Sequence, residues 1–423
     1  MTAQNIRVIV VGGGYAGVMA ANRLRSRDDL HVTLVNPRPQ FVERIRLHQL
    51  AADAGGTAGR AKRRGTSTAG RAKRRGTSTA GRAKRRGTSS AVAEFGAVLN
   101  PGVQLVVDNV ERIDAPVRRL ALSSGTSLDY DYLVYAVGST GAVPDGVPGA
   151  AEFAYPLAEL EQAQRLRSRL ADVAAIAPVV VIGGGLTGIE AAAEFAEAGR
   201  DVTLVSPVVG PSLSGPGRRS VTRRLRKLGV HLVSASVRAV GADHVVLDDA
   251  RSLPSAVTVW TARFGVPTLA ADSGLATDPL GRLLTDETLT SVDDDRIVAA
   301  GDSAAPSGLP YRMSCQAGLP LGAQAAETVL ARIAGTDAAV ATVPMSGQCI
   351  SLGRDAGTVQ LQRKDDTPLN LYLGGRTGAF VKEQVCRFTI TWLAAEARKP
   401  GSYRSLKGPD RSELIASTAV PVR

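Results

Sequence analysis

Residues Val8–Leu24 read VIVVGGGYAGVMAANRL, and residues Val179–Phe195 read VVVIGGGLTGIEAAAEF. In each, β-branched apolar residues run into a glycine turn and an alanine-rich stretch at helical spacing follows, which predicts strand, tight turn, helix. A second apolar run closes each unit, HVTLVNP at His31–Pro37 and DVTLVSP at Asp201–Pro207. The chain thus carries one βαβ unit twice, and this internal repeat sets the fold class as α/β with two Rossmann-like halves.

Within the turns, Gly12, Gly14 and Gly17 form GxGxxG, with Gly13 and Ala16 between them, and Gly183, Gly185 and Gly188 form it again. The first glycine permits the turn, the second lets a pyrophosphate approach the backbone, and the third lets helix and strand pack closely. The helix N-terminus then favours the phosphates. Glycine turns also join strands to helices for packing alone. Agreement of strand, turn, helix and second strand in both units favours two dinucleotide sites. Two bound dinucleotides point to hydride transfer from a diffusible nicotinamide to a fixed flavin, with binding without turnover as the plainer alternative. At the end of the second strand, where an acid usually accepts hydrogen bonds from ribose hydroxyls, stand Asn36 and Ser206. Asn36 still accepts through its amide oxygen. Ser206 offers no carboxylate to repel a 2′-phosphate, so the donor is NADH or NADPH; Arg218 and Arg219 are either its counter-charge or solvated loop residues.

Between the units, Val103–Ile113 and Arg118–Ser139 alternate apolar and polar residues and predict a hairpin closing the first domain. The Pro/Gly-rich stretch at Gly141–Ala150 predicts a linker. Helices are expected over Leu157–Ile176, Leu321–Ile333 and Val381–Ala397, and His244–Ala262 reads as a strand pair. The expected division is a first dinucleotide domain over 1–146 and 265–340, a second over 147–264 inserted within it, and a C-terminal α+β region over 341–423.

The net charge of +12 comes from one place. Residues 57–89 are three copies of TAGRAKRRGTS, and without their twelve basic residues the remaining Lys and Arg equal the 39 acids. Alanine is the repeat's single apolar residue type, so a disordered surface loop is expected. It has no interleaved aromatics, which argues against nucleic acid as a partner. The rival reading gives this loop the function, as a binder of anionic surfaces or phosphate backbones. Three dispersed cysteines, no metal-type cluster and no signal peptide predict a cytoplasmic protein without a metal site.

With both glycine motifs, YDYLVYAVGS at Tyr130–Ser139 and IVAAGDSA at Ile297–Ala304 in this order, the chain resembles the FAD-dependent pyridine nucleotide oxidoreductases of the pyridine nucleotide-disulfide oxidoreductase fold. The resemblance covers roughly Arg7 to Ile333, about three quarters of the chain. It implies FAD across the first unit, with Gly301 and Asp302 at its ribityl and phosphate region and Val110 and Gly138 beside it, and NAD(P)H at the second. The branch most resembled is that of type II NADH dehydrogenases and apoptosis-inducing-factor-like quinone reductases. There Glu190 falls on an acidic position of the nicotinamide-site motif, and Gln316 on the quinone-side glutamine. Glu190 otherwise reads as a helix-surface acid.

Departures from the family pattern are specific. No cysteine precedes Cys315, which excludes the paired-cysteine relay of the disulfide reductases in the first domain. Gly318 and Pro320 replace the later Ala and Gln of the quinone-side motif, Arg263 replaces a usual glycine in WTARFG, and Ala136–Gly138 reads AVG for ATG. Cys315 reads as a small buried thiol. The C-terminal helix, with Phe388, Trp392 and Leu393, is expected to dock on the first domain, with peripheral contact at the inner face of a membrane and homodimerisation left open. The implied function is an NAD(P)H oxidoreductase with a quinone or other small acceptor; a flavin-bound electron-transfer or sensor protein is the alternative.

Overall fold

Both copies of the apolar run become the central strand of a parallel sheet. In the computed structural model, which describes residues 6–53, 91–144 and 146–418, Ile6–Val11 lies between Leu30–Asn36 and Tyr132–Tyr135, with Gln104–Val107 and Ile297–Ala299 at the edges. The repeat at 57–89, and the disorder expected of it, lies outside the described residues. Pro178–Ile182 holds the same place in a second sheet, between Asp201–Val205 and Val257–Trp260, with His231–Val233 and Ala154–Pro156 outermost. An all-parallel sheet is covered on both faces, so Val8–Val11 and Val179–Ile182 are continuously buried rather than alternating.

The two coverings also repeat. On one face of the first sheet, helices Tyr15–Leu24 and Cys315–Ala334 pack Met19, Leu24, Ala325 and Val329 against Val8 and Val10. On the other, the antiparallel strands Val110–Asp114, Arg119–Leu122 and Ser127–Asp129 bring Ile113, Leu120 and Leu122 onto Ile9 and Val11. The second sheet carries helices Leu160–Asp172, Leu186–Glu197 and Gly215–Lys227 on one face and a three-stranded antiparallel sheet, Val237–Val240, His244–Leu247 and Ser252–Pro254, on the other.

Two expected hairpins therefore divide differently. Gln104–Val107 and Val257–Trp260 each leave their antiparallel neighbours and join a parallel sheet. Alternation reports which side of a strand is covered and says nothing about which strand it pairs with. Helix limits shift for local reasons. Leu160–Asp172 starts at a capping box in which Glu159 and Gln162 satisfy each other's backbone N–H groups. Cys315–Ala334 starts six residues before the expected Leu321, capped by the Ser314 hydroxyl, and runs through Pro320, which sequence rules treat as a stop.

Beyond these sheets, Gly347–Ser351, Gly357–Gln362 and Pro368–Gly374 form an antiparallel sheet, and helix Gly375–Arg398 follows. The helix docks on the first unit. Leu393 joins the core that contains Val8, and buried Glu396 accepts from Arg23 and from the N–H groups of Gly401 and Tyr403 at 2.7 and 2.6 Å.

The chain passes from first sheet to second and back at one ribbon, Thr140–Gly141 paired antiparallel with Phe264–Gly265. Arg263 precedes it with φ +88°. This conformation costs a side chain of this kind about 1–3 kcal/mol, which explains the usual glycine there. Arg263→Gly is expected to raise stability by about 1 kcal/mol, net of the glycine's greater entropy loss, as measured by denaturant unfolding.

Candidate active site

The two glycine turns have the same internal division of labour. Gly12 has φ +105° and lies against the Ala136 carbonyl; a Cβ there would overlap that oxygen and come within 2.9 Å of Val137 Cα. A Cβ on Gly17 would strike the Gly12 carbonyl. In the second turn Gly183, φ +116°, leaves a Cβ 2.8 Å from Thr261 Oγ1, and Gly188 lies against the Gly183 carbonyl. A Cβ on Gly14 or Gly185 meets nothing within 4 Å. Each turn thus closes at its first and third glycines and opens at its second, a cradle that fits a pyrophosphate approaching bare backbone.

Side chains at the strand ends brace these cradles. Asn36 Oδ1 accepts from Gly13 N–H at 2.8 Å and Nδ2 donates to the Arg38 carbonyl at 2.7 Å, so half of its hydrogen-bonding capacity is spent inside the protein. Ser206 donates to the Val208 carbonyl at 2.9 Å. Gly138 and Gly301, φ +71° and +74°, lie just beyond the ends of adjacent strands, and a Cβ on Gly301 would lie 2.9 Å from that of Ala16. Asp302 accepts from Ser139 Oγ at 2.7 Å and from Ser314 N–H at 3.1 Å. Arg44 donates to the carbonyls of Ser139 and Ala158, at 2.7 and 2.8 Å. Val110 opens the antiparallel sheet on the far face; two residues before it, Asp108 N–H bonds the Asn36 carbonyl at 3.0 Å.

Glu190 is a buried acid rather than a surface one. It lies in helix Leu186–Glu197, where Oε1 meets Lys382 Nζ at 3.0 Å and accepts from Ser351 N–H at 2.8 Å, while His48 Nδ1 stands 3.7 Å from Oε2. Lys382 also donates to the Cys349 carbonyl at 3.2 Å. Burial pushes the Glu190 carboxyl up, but the Lys382 charge and the Ser351 N–H outweigh it and hold it below the usual glutamate range. Burial likewise opposes the Lys382 charge, and Glu190 restores it to above the ordinary lysine value. His48, buried with Nε2 unpartnered among the described residues, is driven down to about 4 by desolvation and is neutral. Burial pushes the Cys315 and Cys386 thiols up to about 12 and about 11, so neither is a thiolate at neutral pH.

Gln316 takes another direction. Its amide donates to the Pro344 carbonyl and to Ser346 Oγ, both at 3.2 Å, and it shares no hydrogen bond with Glu190. Lys382, His48, Ser351 and Arg44 belong to no motif. A partial signal for Lys382 does exist: Lys382, Cys386, Thr389, Leu393 and Glu396 share one stripe of the helix expected over Val381–Ala397, which marks Lys382 as inward-facing without naming its partner.

Residues 6–328 match the pyridine nucleotide-disulphide oxidoreductase family. The chain belongs to that family. It is an oxidoreductase of the NADH dehydrogenase-like kind, served by FAD and a pyridine nucleotide. An NADH dehydrogenase-like protein of Mycobacterium tuberculosis is 32% identical over 357 residues, covering 77% of this chain and 80% of that one. An alternative NAD(P)H-ubiquinone oxidoreductase of Arabidopsis thaliana is 30% identical over 350 residues, 70% of this chain and 61% of its own. Among solved structures, NDH2 from Plasmodium falciparum in complex with NADH superposes with a TM-score of 0.71 at 13% identity, covering 95% of this chain and 99% of that one. The sulfide:quinone oxidoreductase of Aquifex aeolicus superposes at 0.70 with 18% identity and 92% coverage of each chain. At those identities the superpositions speak for the fold.

Two outcomes follow from the buried pair. Lys382→Met leaves Glu190 buried without its cation and is expected to cost about 3–5 kcal/mol in denaturant unfolding; adding Glu190→Gln recovers part of that loss. His48 has a folded pKa near 4 against an ordinary 6.5, so as pH falls through this window the unfolded chain takes up the proton first. Its contribution is fully present above pH 6.5 and is lost toward pH 4, by roughly 3 kcal/mol, and His48→Gln flattens that stretch of the stability–pH curve.

Proposed function

We propose that this oxidoreductase takes hydride from NAD(P)H at the second glycine cradle and delivers electrons to a quinone or other small acceptor. The observation that carries the proposal is the pair of equivalent cradles, with the Glu190–Lys382 pair buried just beyond the second. We assign residues 1–146 and 265–340 to binding FAD, 147–264 to NAD(P)H, and 341–423 to covering the space between. FAD, when bound, supplies the two-electron chemistry that links nicotinamide to acceptor.

The chain's own residues do the positioning. Gly12, Gly14 and Gly17 admit the pyrophosphate, Asn36 fixes the turn through Gly13, and Asp302, held by Ser139 and Ser314, presents carboxylate oxygens beside Gly138 and Gly301. Gly183, Gly185 and Gly188 do the same for the nucleotide. Glu190 and Lys382 place balanced opposite charges near the nicotinamide end, where Lys382, its proton held by Glu190, acts as a fixed positive charge that orients what binds there. Gln316, anchored on Pro344 and Ser346, lines the acceptor side.

Peripheral contact with a membrane has its own support. Phe380, Phe388 and Trp392 are exposed on the outer side of helix Gly375–Arg398, and the Phe388 and Trp392 rings stack at 5.7 Å. Among the described residues no helix is long and apolar enough to cross a membrane.

The purified protein is expected to carry a flavin that NADH or NADPH bleaches without oxygen and that a quinone analogue reoxidises. Glu190→Gln should keep the flavin and lower kcat with the quinone by about tenfold or more. A colourless protein, or a flavin neither nucleotide reduces, would defeat the proposal.

A further inference from the structure

The helix that carries Glu190 holds a second buried acid that the proposed reaction leaves unused. Glu194 lies one turn on, roughly 6 Å farther along the axis from the glycine cradle. Its Oε2 meets Arg354 Nε at 3.1 Å, and its Oε1 has no hydrogen-bond partner among the described residues. Beyond it, Glu197 accepts from the Arg354 N–H at 2.6 Å, as Glu190 accepts from that of Ser351 at 2.8 Å. One face of the helix thus sets three acids against the turn that follows strand Gly347–Ser351.

The three acids are matched unequally. Glu190 faces Lys382, whose side chain is nearly as buried as its own, and Glu197 and Arg224, 3.7 Å apart, are both partly exposed. Glu194 is 4% exposed, whereas its partner Arg354 is 44% exposed. Water screens the outer charge more than the inner one, so ionised Glu194 leaves a net negative field inside the junction. The other elements packed on this helix bring it no cation of its own. The short helix Leu47–Ala52 offers the neutral His48, strand Gly347–Ser351 offers Cys349, whose thiol burial pushes up, and Lys382 and Arg224 are taken by the other two acids. Burial pushes the Glu194 carboxyl up to about 7; Arg354 draws it back only in part, and Glu197 and Glu190 add like charge.

Resting on the reading that the second cradle holds the hydride donor with its nicotinamide end toward Glu190, we infer that Glu194 is a positioning acid that sets the charge behind the nicotinamide, acting across Glu190 and Lys382. When hydride leaves the reduced nucleotide, the C4–H bond breaks, both of its electrons pass with the hydrogen to the flavin, and the nicotinamide ring is left positive. Ionised Glu194 favours that cation, and protonated Glu194 withholds the help. By reciprocity, an oxidised nucleotide draws the proton off Glu194 as it binds.

The test reads binding and flavin reduction in the flavin-loaded full chain. NAD+ and NADP+ are each compared by calorimetry with their tetrahydro analogues, whose ring is neutral and transfers no hydride. From about pH 6 to about 8 the oxidised form is expected to gain about threefold or more in affinity over its analogue, with part of a proton released on binding. Anaerobic stopped-flow reduction by NADH or NADPH should quicken by about the same factor over that range. Glu194→Gln should flatten both steps, and Arg354→Met, which removes the cation, should move both to higher pH.

Stability gives an independent readout. The folded chain holds the Glu194 proton to higher pH than the unfolded chain, where the ordinary value is 4.5, so the buried carboxyl costs stability that grows as pH rises toward about 7. The urea midpoint of Glu194→Gln should therefore gain on that of the parent between about pH 5 and about 8, where an acid kept for its ion pair alone would make the variant fall behind. Oxidised nucleotides that track their analogues at every pH, a pH step unchanged in Glu194→Gln, or a variant that loses ground in urea as pH rises would overturn the inference. Failure of every nucleotide to bind would sink the proposed reaction with it, whereas binding and reduction without the pH step leave that reaction standing.

Discussion

Two opposite charges, Glu190 and Lys382, are buried together where three parts of the chain converge. Neither tolerates that position alone, because an uncompensated charge in so dry a place costs several kcal/mol. Helix Leu186–Glu197 supplies the acid, helix Gly375–Arg398 the cation, strand Gly347–Ser351 a backbone donor, and the short helix Leu47–Ala52 the neutral His48. Each element has its own packing, yet the pair fixes how they face one another. A second layer repeats the logic: Arg46 bonds Glu43 and reaches Glu383, the neighbour of Lys382, at 3.0 and 3.1 Å.

Around that junction the molecule is two versions of one design. Both parallel sheets place their glycine turns at the carboxyl ends of their central strands, and both carry helices on one face and a small antiparallel sheet on the other. The C-terminal sheet and helix have no counterpart in the repeat. Their inner stripe is tied to the first unit through Leu393 and Glu396 and to the second through Lys382, while their outer side leaves aromatics in solvent.

How much was legible in the sequence depends on how local the cause is. Gly17 and Gly188 are demanded by the turn of their own βαβ unit, and Gly12 and Gly183 by their positive φ, so spacing alone announces them, although the backbone that crowds Gly12 and Gly183 comes from Ala136 and Thr261. The Arg263 departure was visible against a family pattern, and its backbone explains why the pattern exists. Lys382 was not legible as a site residue, because its partner lies 192 positions earlier and nothing in the intervening pattern links them. Asn36 was half legible: its place at the strand end was evident, but its spending of Oδ1 on Gly13 needed the turn in three dimensions. The pairings of Gln104–Val107 and Val257–Trp260 escaped for the same reason, since register and partner are tertiary choices.

The ribbon of Thr140–Gly141 with Phe264–Gly265 has a consequence for how such a chain is put together. The two ends of everything between Gly141 and Phe264 are hydrogen-bonded neighbours. A whole folded body can therefore be spliced in or cut out at this point without rerouting any strand of the first sheet, since the host chain sees the guest as one short detour. Duplication followed by insertion at a pre-existing β-corner would need no redesign of the host, and the strain kept at Arg263 marks the seam.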